Sequence, residues 1–489
     1  MNTSQKIFYL QEYTQKIRAG GGTKAVEKQH SEGKLTVRER IEKLLDPDTF
    51  METDIFVKHR CTNFGMQDKD IPSDGVVTGF GKIDNRPVCL YGQDFTVIGG
   101  TLGRTQGEKI CKLMDLAVKI GIPIVGLLDS AGARIQEGVD AMYGHGSIFY
   151  RNTLYSGVIP QISAIMGSCA GGASYSPALT DFIFMVKDTS KMFITGPEVI
   201  KAVTGELLES EELGGAMTHN KISGVAHFAA ENEEECLAMI KKLLSYIPSN
   251  NREKPPRIET EDSIKREEES LNTVTDERGC SYDMQEVIKK IVDKHDFFQT
   301  MPYYAPNMLT GFARIGGESI GIIANQPKFK AGCLDIDASD KATHQIRFCN
   351  SFNIPLVNFV DSIGFIPEMK QECNGLIRHS AKVLYAYAEA TVPKITVVIG
   401  KAYSSVYLAM CPHELGADQV LAWPTAEIAL EQPRDGVDID ASPYLAASRG
   451  MVDMVIEPKK TRVVLSHTLQ NLLSKSEKRP LKKHGNMPM

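Results

Sequence analysis

Along the chain, short apolar and β-branched runs alternate with longer stretches whose apolar residues recur at helical spacing. Ile122 to Leu128 is one such run, set between Gly121-Ile-Pro and Asp129-Ser-Ala-Gly. A run of that length between turn residues predicts a buried strand. Gln161 to Met166 predicts another, followed by a glycine-rich turn from Gly167 to Ala173. The segment from Ala133 to Tyr155 reads as loop and helix, and Glu231 to Ile247 and Met284 to Asp296 carry helical apolar spacing. Strand–helix–strand alternation implies an α/β fold with parallel strands, whose active groups lie at strand ends and helix N-termini.

The pattern occurs twice. Thr78-Gly-Phe-Gly-Lys-Ile returns as Thr310-Gly-Phe-Ala-Arg-Ile, an offset of 310 − 78 = 232. Gly121-Ile-Pro-Ile-Val-Gly-Leu-Leu-Asp-Ser-Ala-Gly returns as Asn353-Ile-Pro-Leu-Val-Asn-Phe-Val-Asp-Ser-Ile-Gly, with 353 − 121 = 232. Ile159-Pro-Gln-Ile-Ser-Ala-Ile-Met-Gly matches Val392-Pro-Lys-Ile-Thr-Val-Val-Ile-Gly, with 392 − 159 = 233. Three ordered pairs at one offset indicate two homologous domains. The polar, charged stretch from Ser249 to Asp283, with Pro255-Pro256, reads as the connector, with room for a helix inside it. The expected domains are residues 1–255 and 256–489 of the 489.

Composition narrows the function. Apolar residues at 42% and charged residues at 24% describe an ordinary globular protein. A net charge of −6 argues against a nucleic-acid partner. No apolar stretch is long enough for a membrane span and the first residues lack a signal-peptide core, so a cytoplasmic protein is expected. The ten cysteines form no C-x-x-C pair and no zinc-like cluster, so reduced thiols and no metal site are expected. The basic run from Lys475 to His484 reads as a solvated tail or an anion contact.

Candidate chemistry centres on Gly167-Ser-Cys-Ala-Gly-Gly-Ala-Ser-Tyr-Ser-Pro. Small residues between a strand and a helix let a ligand approach the backbone, and unpaired N–H groups there suit an oxyanion. A tight turn with nothing bound fits the same residues. Gly167-Ser-Cys-Ala-Gly also has the spacing of a nucleophile elbow centred on Cys169, which would need a downstream acid and a histidine such as His219 or His227. A packing role for Cys169 is the simpler reading. Adding 233 to Gly172 and Ala173 gives Ser405 and Val406, so the repeat predicts a second turn of the same kind. Arg134 and Glu137, in the loop after Leu128, are either ligand contacts or an ion pair that fixes the loop. No P-loop or dinucleotide-binding glycine pattern occurs.

Several of these segments resemble the β chains of biotin-dependent acyl-CoA carboxylases. The resemblance is carried by Lys34-Leu-Thr-Val-Arg-Glu-Arg-Ile-Glu-Lys-Leu-Leu-Asp, Asp129-Ser-Ala-Gly-Ala-Arg-Ile-Gln-Glu-Gly, Ser156-Gly-Val-Ile-Pro-Gln-Ile-Ser, Met192-Phe-Ile-Thr-Gly-Pro-Glu-Val-Ile and Glu212-Leu-Gly-Gly-Ala-Met-Thr-His-Asn. In the second half it is carried by Ala324-Asn-Gln-Pro, Ala331-Gly-Cys-Leu-Asp-Ile-Asp-Ala-Ser and Leu384-Tyr-Ala-Tyr-Ala-Glu-Ala-Thr-Val-Pro-Lys. It spans nearly the whole chain and is strongest to propionyl-CoA carboxylase β chains and methylmalonyl-CoA decarboxylase α chains. It implies two crotonase-like (ClpP/crotonase) α/β domains and transfer of CO2 between carboxybiotin and the α-carbon of an acyl-CoA. The N-terminal domain would bind coenzyme A and the C-terminal domain biotin, which is carried elsewhere because no Met-Lys-Met biotinyl site occurs. Gly172 and Ala173 match the family's first oxyanion hole, for the thioester oxygen, with Gly171 beside them. Ser405 and Val406 lie at the second, for the biotin ureido oxygen, with Tyr407 and Leu408 as substrate-binding residues beside them and Leu408 at the position that tunes acyl choice. Arg134 stays a candidate substrate-binding residue from its place in the loop. A homo-hexamer, a biotin carrier protein and a biotin carboxylase or decarboxylase partner subunit are further implications.

The second half departs from the family. Ser404-Ser-Val-Tyr407 stands where relatives have Gly-Gly-Ala-Tyr, so Cβ atoms crowd the approach and any positive-φ requirement falls on a serine. Val360-Asp-Ser-Ile-Gly-Phe-Ile-Pro-Glu368 and Leu430-Glu-Gln-Pro-Arg-Asp-Gly436 also differ, the latter with an apparent loss of a helical segment, and Leu408 replaces an Asp of propionyl-preferring members. Three functions remain open: a biotin-dependent carboxyltransferase, a biotin-independent decarboxylase of a malonyl-type thioester that uses the first turn alone, and a degenerate assembly subunit.

Overall fold

The computed structural model describes residues 1–274, 282–432 and 440–489. The chain divides into two compact units, Met1–Leu244 and Ser245–Met489. The division precedes the Pro255-Pro256 connector because Tyr246 already belongs to the second unit. Its buried ring stacks on Phe298 and Phe312, with centroids at 6.0 and 6.1 Å.

The first unit carries strands β1 (Met51–Thr53), β2 (Val76–Ile83), β3 (Arg86–Gln93), β4 (Ile124–Ser130), β5 (Gln161–Ala170), β6 (Phe182–Val186), β7 (Lys191–Phe193) and β8 (Phe228–Ala230). They form one sheet in the order β1-β2-β3-β4-β5-β6-β8, with β7 paired to the end of β5. From β3 onward every pairing along this path is parallel. The second unit carries β9 (Phe298–Thr300), β10 (Met308–Ile315), β11 (Glu318–Asn325), β12 (Leu356–Ser362), β13 (Lys394–Tyr403), β14 (Gln419–Ala422), β15 (Glu427–Ala429) and β16 (Met454–Val455). Their order, read from β9, is β9-β10-β11-β12-β13-β14-β16, with β15 paired to β13. The duplicated architecture is thus present strand for strand. β2, β3 and β4 map onto β10, β11 and β12 at 232, and β5 maps onto β13 at 233.

The strands at the centre are apolar on both faces because helices cover the sheet. Val125 and Leu127 of β4 and Ile162, Ala164 and Ile165 of β5 are buried, as are Val357, Phe359, Val397 and Ile399 in the second unit. Helix Arg104–Ile120 connects β3 to β4 and ends on Gly121, whose φ of 71° supplies the left-handed C-cap. Helix Val139–Tyr155 connects β4 to β5. Helix Glu233–Tyr246 follows the periodicity of the sequence, whereas the second helix, Met284–Ile291, stops short of Asp296 and gives way to a 3-10 turn, Asp293–His295. The connector contributes a short 3-10 turn, Glu269–Thr273, before residue 275.

The sequence pattern ends the strand before the first glycine-rich turn too early. β5 continues through Gly167-Ser-Cys-Ala, because Ser168 to Ala170 pair in parallel with β7. β13 extends in the same way, to Tyr403, against β15. Both extensions begin at an irregularity in register, between Leu128 and Ser130 on β4 and between Val360 and Ser362 on β12. The residue displaced in each case is an aspartate, Asp129 or Asp361. Pro433 to Gly436, in the shortened segment after Leu430, lie outside the described residues.

Candidate active site

The segment Lys34-Leu-Thr-Val-Arg-Glu-Arg builds the support for the first turn. Thr36 caps helix Val37–Leu44 and Glu39 returns the bond to the Thr36 backbone, a capping box. The helix thereby holds Arg40 fully buried, where its guanidinium bonds Glu233 at 2.7 and 2.8 Å and Asp129 at 3.1 Å. Gln29 also donates to Asp129, at 3.0 Å. Burial would lower the Arg40 pKa, but the two carboxylates outweigh it and the net shift is upward, so the guanidinium stays charged. Asp129 in turn lies against Gly167. A Cβ on Gly167 would sit 2.5 Å from Asp129 Cγ, so glycine is required for β5 to pass.

At the end of β5 the chain turns through Gly171–Ser174 into the short helix Tyr175–Ala178. Gly171 has a φ of 63°, and the Gly172 N–H precedes the first hydrogen bond of the turn. Gly172 is exposed, with Gly171 and Ala173 partly exposed beside it. Ser174 donates its hydroxyl hydrogen to the Gly171 carbonyl at 2.7 Å and so locks the turn. Behind Gly172 stands His145 of helix Val139–Tyr155, whose ring carbon Cδ2 would lie 3.3 Å from a Gly172 Cβ. Its Nδ1 donates to the Ala141 carbonyl at 3.0 Å, and burial lowers its pKa, so the ring is neutral. The sequence did not single out His145, since a histidine in a helix gives no sign of which turn it will face.

Cys169 is not a nucleophile. It is buried, its Sγ faces the Ala173 carbonyl at 3.4 Å, and burial pushes its thiol up to about 12. His219 is bound to Ser223 and the Met192 carbonyl, and His227 accepts from the Ile183 N–H. Neither serves a thiolate. Arg134 takes the ion-pair alternative rather than a ligand contact. Fully buried, it bonds Asp74, Glu137 at 2.8 Å and the Thr101 carbonyl at 2.8 Å, and so fixes the loop. That loop runs beside the turn, where a Cβ on Gly132 would meet the Ala170 carbonyl at 3.0 Å.

In the second unit, β13 leads into helix Ser404–Ala409. Ser404 adopts a φ of 57°, matching Gly171 at 63°. The expected violation is therefore absorbed: the serine takes the left-handed conformation and the turn keeps its shape. The N–H groups of Ser404, Ser405 and Val406 precede the first intrahelical bond. Ser405 and Leu408 are exposed and Val406 is buried. Tyr407 is buried, and its hydroxyl has no hydrogen-bond partner among the described residues. The support is again duplicated: a Cβ on Gly400 would lie 2.5 Å from Asp361 Oδ2. Asp361 accepts from the Tyr282 hydroxyl at 2.7 Å and the Lys401 N–H at 2.9 Å, and burial holds its carboxyl above the usual range. Tyr403 donates to Glu427 of β15.

The carboxyl transferase domain model matches residues 28–440 and 438–487. The chain belongs to the carboxyl transferase family. This carboxyltransferase is 58% identical over 504 residues to the methylmalonyl-CoA decarboxylase subunit alpha of Veillonella parvula, covering 99% of each chain. It is 50% identical over 491 residues to the mitochondrial propionyl-CoA carboxylase beta chain of Homo sapiens, covering 96% of this chain and 91% of the relative. A crystal structure of the transcarboxylase 12S hexamer with hydrolysed methylmalonyl-coenzyme A bound superposes with a TM-score of 0.98 at 50% identity, covering 100% of this chain and 99% of that one. The carboxyltransferase is thus an enzyme of the same class as these relatives. Among the described residues, no group of His, Cys, Asp and Glu could hold a metal ion, and no helix is long and apolar enough to cross a membrane.

Proposed function

We propose that this chain is the carboxyltransferase subunit of an acyl-CoA carboxylase or decarboxylase, with two crotonase-like domains. The acyl-CoA thioester is taken by the N-terminal unit; that an acyl-CoA is the substrate is in keeping with the methylmalonyl-coenzyme A bound in a transcarboxylase 12S structure. Gly172, helped by Gly171 and Ala173, offers backbone N–H groups to the thioester oxygen as it becomes an enolate. Donors fixed before the charge appears need no reorganisation in the transition state, the usual source of large rate gains in such sites. Biotin, carried on a separate protein, would supply or take up the CO2. Ser405 and Val406 would hold its ureido oxygen, and Tyr407 and Leu408 would line the approach. A hexamer with a biotin carrier and a biotin carboxylase or decarboxylase partner follows from the same reading.

One observation carries the biotin-dependent form of this reading: Ser404 keeps the φ of Gly171 within a few degrees. Substitution of the family's glycines has left the backbone of the second turn intact, so the residues present fit the group. The test supplies the purified chain with malonyl-CoA or methylmalonyl-CoA, with and without free biotin. CO2 release that depends on biotin is expected. Release indifferent to biotin would overturn the reading in favour of direct decarboxylation, and no turnover would favour an assembly role.

A further inference from the structure

His145 is 6% exposed, and its Nε2 has no hydrogen-bond partner among the described residues. That nitrogen would lie 3.6 Å from a Cβ on Gly172, the residue whose N–H heads the first turn. Since Nδ1 donates to the Ala141 carbonyl, Nε2 carries a bare lone pair. A buried acceptor left unpaired is costly, and a lone pair this close behind a site for negative charge is costlier once the charge forms. The same lone pair becomes an asset if it is protonated at that moment.

We propose that His145 compensates charge at the first turn. As the thioester oxygen at Gly172 becomes anionic, the imidazole takes one proton from solvent onto Nε2, and the new N–H turns a repulsive neighbour into an attractive one. One N–H bond forms at the lone pair, one proton leaves the bulk acid, and no other bond changes. The inference rests on the enolate-binding role of Gly172, through which His145 acts as a positioning residue.

The surroundings leave His145 free to respond. Asp140, on its own helix, pairs with Arg104 of helix Arg104–Ile120, which also holds Glu108. Lys109 is turned into the carbonyls of Ser73 and Val76, Lys112 pairs with Asp54, and Arg151 pairs with Asp115. On the turn side, Tyr175 is separated from the imidazole by the Phe149 ring. Burial pushes its pKa down, and the bond to the Ala141 carbonyl acts in the opposite sense.

The experiment is calorimetric titration of the full-length protein with 2-nitropropionyl-CoA, an acyl-CoA whose α-carbon is acidic enough to be ionised already in solution, so that it binds as an enolate-like anion and contributes no proton of its own. It is run at about pH 8, where an unperturbed imidazole is neutral, in two buffers of different ionisation enthalpy. Uptake of about one proton per site is expected for the wild type, and none for H145F or H145N. The second variant keeps a polar side chain if the first fails to fold. Binding by the wild type without proton uptake would overturn this inference alone. Equal uptake by either variant would do the same. Failure of the wild type to bind the analogue would overturn the enolate reading of Gly172 together with it. A histidine that merely packs would leave the proton count at zero throughout.

Discussion

Replacement of Gly167 by alanine should be among the most damaging single-methyl changes in the first unit. The added carbon would lie 2.5 Å from Asp129 Cγ, well inside contact distance, on a residue buried within β5. Neither side can yield cheaply. β5 is hydrogen-bonded to β4, β6 and β7, and Asp129 is fully buried and held by Arg40, Gln29 and Lys34. Displacing Asp129 from Arg40 breaks a buried ion pair, which costs roughly 3–5 kcal/mol. The second unit provides an internal control. Gly400→Ala meets Asp361 at 2.5 Å, but Asp361, though largely buried, keeps some exposure and is held by a hydroxyl and one N–H rather than by a buried guanidinium. It can shift toward solvent, so the cost should be nearer 1–3 kcal/mol, that of ordinary overpacking. Denaturant unfolding of both variants, with one probe in each unit, measures the two values. A G167A protein within about 1 kcal/mol of wild type, or G400A as the more damaging change, would refute the reasoning.

Gly172→Pro removes the N–H at the head of the first turn and should lower thioester turnover by at least about a hundredfold while far-UV circular dichroism stays unchanged; retained activity would sink the oxyanion assignment. Cys169→Ala should keep turnover within about threefold and native Cys169 should resist alkylation, whereas a collapse of kcat would reinstate the nucleophile reading. Lys109 is buried, with Nζ on the Ser73 carbonyl and hydroxyl and the Val76 carbonyl, and burial lowers its pKa to about 8. Between that value and the unfolded pKa near 10.4 the unfolded chain binds the extra proton, so this group's contribution to stability rises with pH across that window, by about 3 kcal/mol in all. The stability difference between wild type and Lys109→Met, followed from pH 8 to pH 10 by urea unfolding, should therefore grow with pH; a flat difference would show that Lys109 titrates alike in both states.

The duplication, the central strands and the position of both turns were legible because they rest on local pattern: apolar runs bounded by turn residues, repeated at one offset. The ends of the strands were not. Gly167 and Gly400 look like turn residues in a linear sequence, but the strands run past them because the three residues after each pair with β7 and β15. Arg134 was legible as a charged loop residue but not as an inward one, because Asp74, its partner, lies 60 residues away. His145 left no trace in the sequence, since its role depends on helix Val139–Tyr155 meeting Gly172. The φ of Ser404 was equally hidden, for the chain can force a serine into a glycine's conformation when its surroundings leave room.

That room has an evolutionary meaning. Within the five residues from Gly400 to Ser404, one position is walled in by a carboxylate and the other opens to solvent at a strain of about 1 kcal/mol. Drift is thereby channelled: the strand glycine is locked, while the turn glycine is a place where a side chain can be acquired. The first unit has the same latitude at Gly171, where the nearest atom to an added Cβ is the Ile194 carbonyl at 4.0 Å. Each half of the duplicated protein thus has, at the mouth of its turn, a position with space for a side chain beyond a strand glycine that has none.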